Sequence, residues 1–317
     1  MYYLINFYLI LSMNMLITLI MALMAMSFIT FLERKMLSYI QTRKGPNKVY
    51  FMGLFQPFSD ALKLISKESL ILMKSNWNMF FISPMITLVL SFSLWMCYPF
   101  FNEIMSSKMM ILLLFCFMSM STYSNLISGW ASNSMYSMLG CTRMIAQLIS
   151  YEVSLFMIFF SILIFCESFS FINIMKSQKF MMFIWPMMIL SFIFLMSIIS
   201  ELNRSPYDFS EGESELVSGF NTEYFSSSFT MIFMAEYSMI LIMSMIYTMM
   251  FLNSNLNLIF SIKILLISIF IIWSRGLLPR FRYDLLMNMA WKNFLPMTIS
   301  YLLIIINIKF LIIFLSQ

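Results

Sequence analysis

Residues 229–252 read FTMIFMAEYSMILIMSMIYTMMFL, and Glu236 is their one charged residue. Coiled as an α-helix, at about 1.5 Å per residue, such a run covers the roughly 30 Å of a bilayer's hydrocarbon core. A helix on the surface of a soluble domain carries a polar stripe at every third or fourth position, and no such face is present here. The run therefore predicts a membrane-spanning helix. A carboxyl placed within one costs on the order of 3 kcal/mol on insertion scales, so Glu236 marks an ion or proton pathway by default.

The rest of the chain agrees. Of 317 residues, 61% are hydrophobic and 10% charged, too apolar for water to be the main solvent. Uncharged stretches at 1–32, 75–102, 109–142 and 180–200 are each long enough to span. Eight spans fit best, near 3–31, 77–100, 109–128, 143–165, 180–200, 229–252, 257–275 and 294–315. The predicted fold is an all-α integral membrane protein, a single multi-spanning domain over 1–317. The N-terminus has no basic region and no small-residue cleavage site, so it reads as the first span. With that terminus outside, the inward loops and their margin carry 14 of the 19 Lys and Arg, the positive-inside pattern. Lys263 and Lys309 fall within spans, where snorkelling to the interface is expected.

Composition also narrows the chemistry. Cys97, Cys116, Cys141 and Cys166 are scattered, with no C-x-x-C pair, and histidine is absent. The chain therefore offers no familiar ligand set for haem, copper, zinc or an iron–sulfur cluster. A redox role needs a cofactor held elsewhere or a substrate dissolved in the membrane. Heavy use of Ile, Met, Phe, Asn and Ser is the bias of AT-rich codons, and it suggests an organelle genome.

Several segments carry ionisable groups beyond what topology requires. Glu33-Arg34-Lys35 follows the first span and leads to the turn Arg43-Lys44-Gly45-Pro46-Asn47. A basic stop-transfer flank explains the cations but not Glu33. Between Pro57 and Glu68, Phe58, Ala61, Leu62 and Ile65 recur at helical spacing opposite Asp60, Lys63 and Lys67. This predicts a short interfacial amphipathic helix, either a surface anchor or one lip of an opening from the membrane. Arg143, Gln147 and Tyr151 form a polar stripe running into the fourth span beside Glu152. The richest segment carries Glu201, Asp208, Glu211, Glu213, Glu215 and Glu223 with Arg204 as its single base. A solvated acidic loop is the plain reading. Tyr207, Phe209, Leu216, Val217 and Phe220 instead argue for packing inside protein, where clustered carboxylates titrate together as a relay requires. The last inward loop interleaves Arg280, Arg282 and Lys292 with Phe281 and Tyr283. A loop so short between spans fits protein or lipid contact and not nucleic acid.

Taken in order, Glu33-Arg34-Lys35, Gly129-Trp130-Ala131-Ser132-Asn133-Ser134, Ser150-Tyr151-Glu152-Val153, Glu211 to Tyr224, Met234-Ala235-Glu236-Tyr237 and Pro279 to Asp284 resemble the signatures of one family. It is the quinone-site membrane subunit, subunit 1, of proton-pumping NADH:ubiquinone oxidoreductase, respiratory complex I. The resemblance runs from about residue 20 to 300. It implies a chain of the mitochondrial inner membrane whose charge-rich loops face the matrix and dock the hydrophilic arm. Ubiquinone would be its substrate, with no haem, metal, flavin or iron–sulfur cluster of its own. Partners would be the other complex I subunits and membrane lipid, with no nucleic acid. By resemblance, Glu33, Arg34, Asp60, Phe220 and Arg282 lie along the quinone tunnel or its mouth. Glu152, Glu201, Asp208, Glu211, Glu213, Glu215, Glu223 and Glu236 belong to the proton-coupling path. Ser200-Glu201-Leu202-Asn203 departs from the family's usual Ala-Glu-Thr-Asn, and Met135 and Cys141-Thr142 stand where polar or small residues are expected. Without the resemblance, a proton- or cation-coupled transporter would also explain Glu152 and Glu236, although it should show a repeat with broken helices. A passive anchor would leave the buried acids unexplained.

Overall fold

The computed structural model describes residues 2–70, 73–99, 108–179, 181–209, 212, 216, 219–252 and 257–316. The chain runs through α1 (Tyr2–Ile40), α2 (Gln56–Ser66), α3 (Trp77–Ser93), α4 (Met110–Ala131), α5 (Met135–Cys166), α6 (Phe171–Ser177), α7 (Met188–Glu201) and α8 (Ser226–Phe251). It continues through α9 (Leu258–Leu277) and α10 (Tyr283–Asn288), a π-turn at Met289–Phe294, and α11 (Leu295–Ser316). Among the described residues, seven helices are long and apolar enough to cross a membrane, and α7 is a shorter apolar eighth. The all-α membrane architecture and the short helix at Gln56–Ser66 match the sequence expectation.

Several boundaries differ from it: the first span, expected over 3–31, runs on as helix to Ile40, and α3, expected over 77–100, ends at Ser93. The fourth span was expected to start at Arg143, yet α5 begins at Met135, after the extended Ser134. The uncharged residues 135–142 already coil, and Arg143 falls inside the helix, because a charge interrupts hydrophobicity without ending a helix. The fifth was expected over 180–200, but α7 starts only at Met188. Pro186 disfavours helical geometry at Trp185, and the turn there is held by Ile184 N–H donating to the Phe251 carbonyl at 3.2 Å. The last span was placed at 294–315, whereas helix runs on from Tyr283. Pro296 cannot donate to the preceding turn, and the wider π-turn just before it accommodates the ring.

Two helices form the axis of the bundle. The best apolar stretch of α8 is 61% buried and that of α5 56%, against at most 39% for the other spans. Around α8 pack α1, α2, α3, α7 and α9; around α5 pack α4, α7 and α11. Between α5 and α8, α7 packs on both, and its Phe194 stacks on Tyr247 of α8 with centroids 5.9 Å apart, in the core that also holds fully buried Ile158, Ile162 and Ile246. Lipid tails are as apolar as these side chains, so close contact and not water exclusion holds the helices together. Gly129 shows how close: a Cβ there would lie 2.8 Å from Cys141 Sγ on α5. Gly129→Ala should force α4 from α5 and destabilise the fold by about 1–3 kcal/mol. The shift would be read as a lower temperature of detergent-induced unfolding.

Away from the charged loops, helix ends are tied to one another. Gln178 Nε2 donates to the Met249 and Met250 carbonyls of α8 at 3.0 and 2.7 Å. Lys263 Nζ donates to the Leu252 carbonyl at 2.6 Å. Lys309 Nζ bonds the Ile164 carbonyl and lies 2.6 Å from Glu167 at the end of α5. Both lysines thus satisfy orphan carbonyls and complement helix dipoles. The Lys309 ammonium holds the Glu167 carboxyl below its ordinary value of 4.5. A lowered carboxylate contributes stability above its unfolded value and loses it as pH falls through its folded one. Local opening at the end of α11, read as the hydrogen-exchange rate divided by the intrinsic rate at each pH, should therefore be flat from pH 8 to 5 and rise below 4.5. In Lys309→Met that rise should vanish.

Candidate functional site

The ionisable groups gather where α1, α8, α9 and the turn after α7 meet. Glu33, only 4% exposed near the end of α1, accepts hydrogen bonds at Oε1 from Arg275 of α9 and from Arg204, the latter at 3.4 Å. The Tyr237 side chain lies close enough to Glu33 to interact with it. Arg204 Nη2 lies 3.5 Å from Glu236 Oε2, and its guanidinium stands over the Tyr237 ring, 4.7 Å from the centroid. One guanidinium therefore bridges two carboxylates of different spans while resting on an aromatic face, an arrangement suited to the planar, delocalised charge of Arg.

The turn bearing Arg204 is held from two sides. Gln147 Nε2, fully buried on α5, donates to the Ser200 and Tyr207 carbonyls at 2.8 and 3.0 Å. From the other side the loop before α10 is zipped to it. Phe281 N–H donates to the Pro206 carbonyl at 3.1 Å, Tyr207 stacks on Phe281, and Arg280 Nη2 reaches Asp208 Oδ2 at 3.1 Å. Tyr151 completes the frame, its hydroxyl donating to the Leu286 carbonyl at 3.3 Å. The stripe read at Gln147 and Tyr151 is thus the inward face of α5.

Two cavities flank the cluster. The first, about 280 Å³, lies between α1, α2 and α8. Leu23, Met26, Ala61, Leu64, Phe229 and Phe233 give it apolar walls, while Arg34, Asp60, Thr30 and Tyr237 supply polar points. Arg34 forms an ion pair with Asp60, whose other oxygen accepts from Gln56 Nε2 at 3.0 Å. The second, about 70 Å³, lies among α3, α4, α5 and α8 at the foot of α7. Its lining is the more polar of the two, with Glu201, Glu236, Asn203, Asn125, Ser91 and Ser124 beside Met144, Leu148, Phe220 and Ile232. Glu201 Oε2 and Asn203 Oδ1 are buried there without a protein hydrogen-bond partner. At roughly 30 Å³ per water, the space and its unsatisfied oxygens suit a small water cluster.

An apolar layer closes the second cavity toward the charged loops. Phe80 stacks on Tyr224 at 4.3 Å and 3°, beside Phe220, Met144 and Ile232. Burial pushes the Tyr224 phenol up to about 12, so it stays neutral, and its hydroxyl donates to the Ser128 carbonyl at 3.0 Å.

The expected site residues thus fall into several places. Glu33, Arg34 and Asp60 meet as described. Phe220 is in the wall of the second cavity, and Arg282 is exposed and paired with Asp284 at 3.0 Å. Glu201 and Glu236 share the second cavity. Glu152 sits half-exposed in an outward groove of about 390 Å³ between α4 and α5, near enough to Glu201 for their charges to interact. Asp208 is buried on Arg280, and Glu223 is half-buried before α8. Glu211, Glu213 and Glu215 lie outside the described residues. Sequence reading did not assign Tyr237, Phe229, Phe233, Thr30 or Arg275 to the site. Tyr237 and Phe233 had a signal: one turn apart on α8, they flank Glu236.

Fold and site together define a polytopic helical membrane protein with charges brought to one side of the bundle and two cavities joined by a buried ion-pair cluster. The chain belongs to the NADH dehydrogenase family, whose sequence model matches residues 13–306. It is 47% identical to the NADH-ubiquinone oxidoreductase chain 1 of Aedes aegypti, over 96% of this chain and 98% of that one. The corresponding proteins of Anopheles quadrimaculatus and Tamias sibiricus are 48% and 42% identical, covering 93% and 91% of this chain and 94% and 93% of theirs.

Removing one partner of a buried pair leaves a charge uncompensated, at a cost of about 3–5 kcal/mol. Arg204→Met should therefore lower the unfolding temperature by far more than Arg282→Met, which breaks an exposed pair with side chains 80% and 64% accessible.

Proposed function

We propose that this chain is the membrane subunit of proton-pumping NADH:ubiquinone oxidoreductase in the mitochondrial inner membrane, with its charge-rich loops on the matrix side. In this reading the cavity between α1, α2 and α8 is part of the ubiquinone path. The observation that carries it is the cavity's make-up: apolar walls for an isoprenoid tail, and the Arg34–Asp60 pair, Thr30 and Tyr237 to orient a polar headgroup. Its α2 wall is the amphipathic helix, whose Leu62 and Ile65 are 69% and 58% exposed, as suits a helix lying in the interface. A substrate dissolved in the bilayer then reaches the cavity without crossing water.

Partner subunits would supply the electron carriers and cover the charge-rich loops; lipid would cover the outer spans. This chain would contribute the membrane side of the quinone site and the carboxylates of a proton-coupling path. That path would begin at Glu33 and Glu236, pass Glu201 in the polar cavity, and reach the outward groove at Glu152. Asp208 and Glu223, with Glu211, Glu213 and Glu215, would set its charge from the loop. A partner helix covering Glu152 fits its half-exposed carboxylate, which is costly to leave facing lipid.

Ala61→Phe places a ring in the cavity without touching a charged residue. In the assembled enzyme, reduction of a short-chain ubiquinone by NADH should show a KM about tenfold higher, with the native mass of the complex unchanged. An unaltered KM would remove this cavity from the quinone path.

A further inference from the structure

Glu236 and Tyr237 are consecutive on α8, so their side chains leave the helix about 100° apart. One lines the polar cavity and the other the apolar cavity. Arg204 spans the gap between these two faces. Its contacts to Glu33 and Glu236 are nearly equal, 3.4 and 3.5 Å, and its guanidinium rests on the Tyr237 ring. Glu33 is also held by Arg275, at the same oxygen that Arg204 reaches, and the Tyr237 side chain lies close enough to interact with it. Tyr237 is therefore the side chain common to the wall of one cavity and to the charge cluster of the other.

We infer that Tyr237 is the positioning residue through which a quinone-class ring in the α1–α2–α8 cavity sets how Arg204 is shared between Glu33 and Glu236. The inference rests on the quinone reading of that cavity and adds the part that transmits occupancy. A ring arriving beside Tyr237 displaces its aromatic face, and the guanidinium moves with the surface it rests on. Since its two carboxylate contacts are matched, a shift of a few tenths of an ångström strengthens one at the expense of the other. Glu236 faces the polar cavity with Glu201, so the field in that cavity follows the occupancy of the other. Phe229 and Phe233, on the same side of α8 as Tyr237, keep the arriving ring against it; their own centroids are 4.2 Å apart.

The test uses the assembled enzyme in sealed vesicles and reads two quantities, the maximal rate of quinone reduction and the protons translocated per quinone reduced. Tyr237→Phe keeps the face under Arg204 and should keep the ratio within about a fifth of the parent value. Tyr237→Leu should lower the ratio at least twofold, and because the ratio is taken per quinone reduced, a slower turnover does not mimic that fall. Arg204→Lys keeps the charge but loses the planar stacking surface, and it should lower the ratio in the same way. A parental ratio in either Tyr237→Leu or Arg204→Lys overturns the inference, as does a fall in Tyr237→Phe equal to that in the leucine variant. The quinone reading fails separately, on the KM of Ala61→Phe.

Discussion

A single guanidinium shared between two carboxylates of different spans is the constraint on which the rest of the charge-rich half depends. Arg204 has 11% of its side chain exposed and Glu33 5%, so neither charge is stable there without the other. The position of Arg204 in turn demands the turn after α7, and that turn demands Gln147 from α5 and the stacked Phe281 from the last loop. Helices that have no hydrophobic reason to associate within a bilayer are thus brought into register by polar contacts that tolerate little displacement.

The two cavities differ in what they can hold, and the difference follows from which faces of α8 they use. Toward α1 and α2 the helix presents Phe229, Phe233 and Tyr237; toward α3, α4 and α5 it presents Ile232, Ala235, Glu236 and Met239. Apolar walls with a charged rim favour an amphipathic molecule from the bilayer, whereas hydroxyls, amides and acids favour water. Glu33 and Arg204 stand between them, where a change of charge on either side is felt on the other because little solvent intervenes to screen it.

Most of the fold was legible because hydrocarbon imposes a length and a polarity that sequence displays directly. The run 229–252 gave α8 to within a turn at each end, and the spacing around Ala61 gave α2. Spans failed where the backbone, and not hydropathy, decided: Pro186 delays α7, and the π-turn before Pro296 extends the last helix toward Tyr283. The site was legible one residue at a time. Glu33, Glu201 and Glu236 announced themselves as acids within apolar surroundings. That Arg204 would join Glu33 to Glu236 is set by a pairing 171 residues apart in one case and by helix rotation in the other, and no local pattern encodes either. The aromatic side chains that complete the first cavity looked like any other lipid-facing rings.

The ties at the ends of α5 and α8 have a mechanical meaning. Lys309, Lys263 and Gln178 each bond a carbonyl of a neighbouring segment, and a Trp-Pro turn is pinned to the last residue of α8. Those bonds act like the closed end of a pair of tongs. Any rearrangement of the ion pairs at the opposite end would turn the helices about that fulcrum, with displacements that grow along each span toward the charged loops and nearly vanish at the tied end.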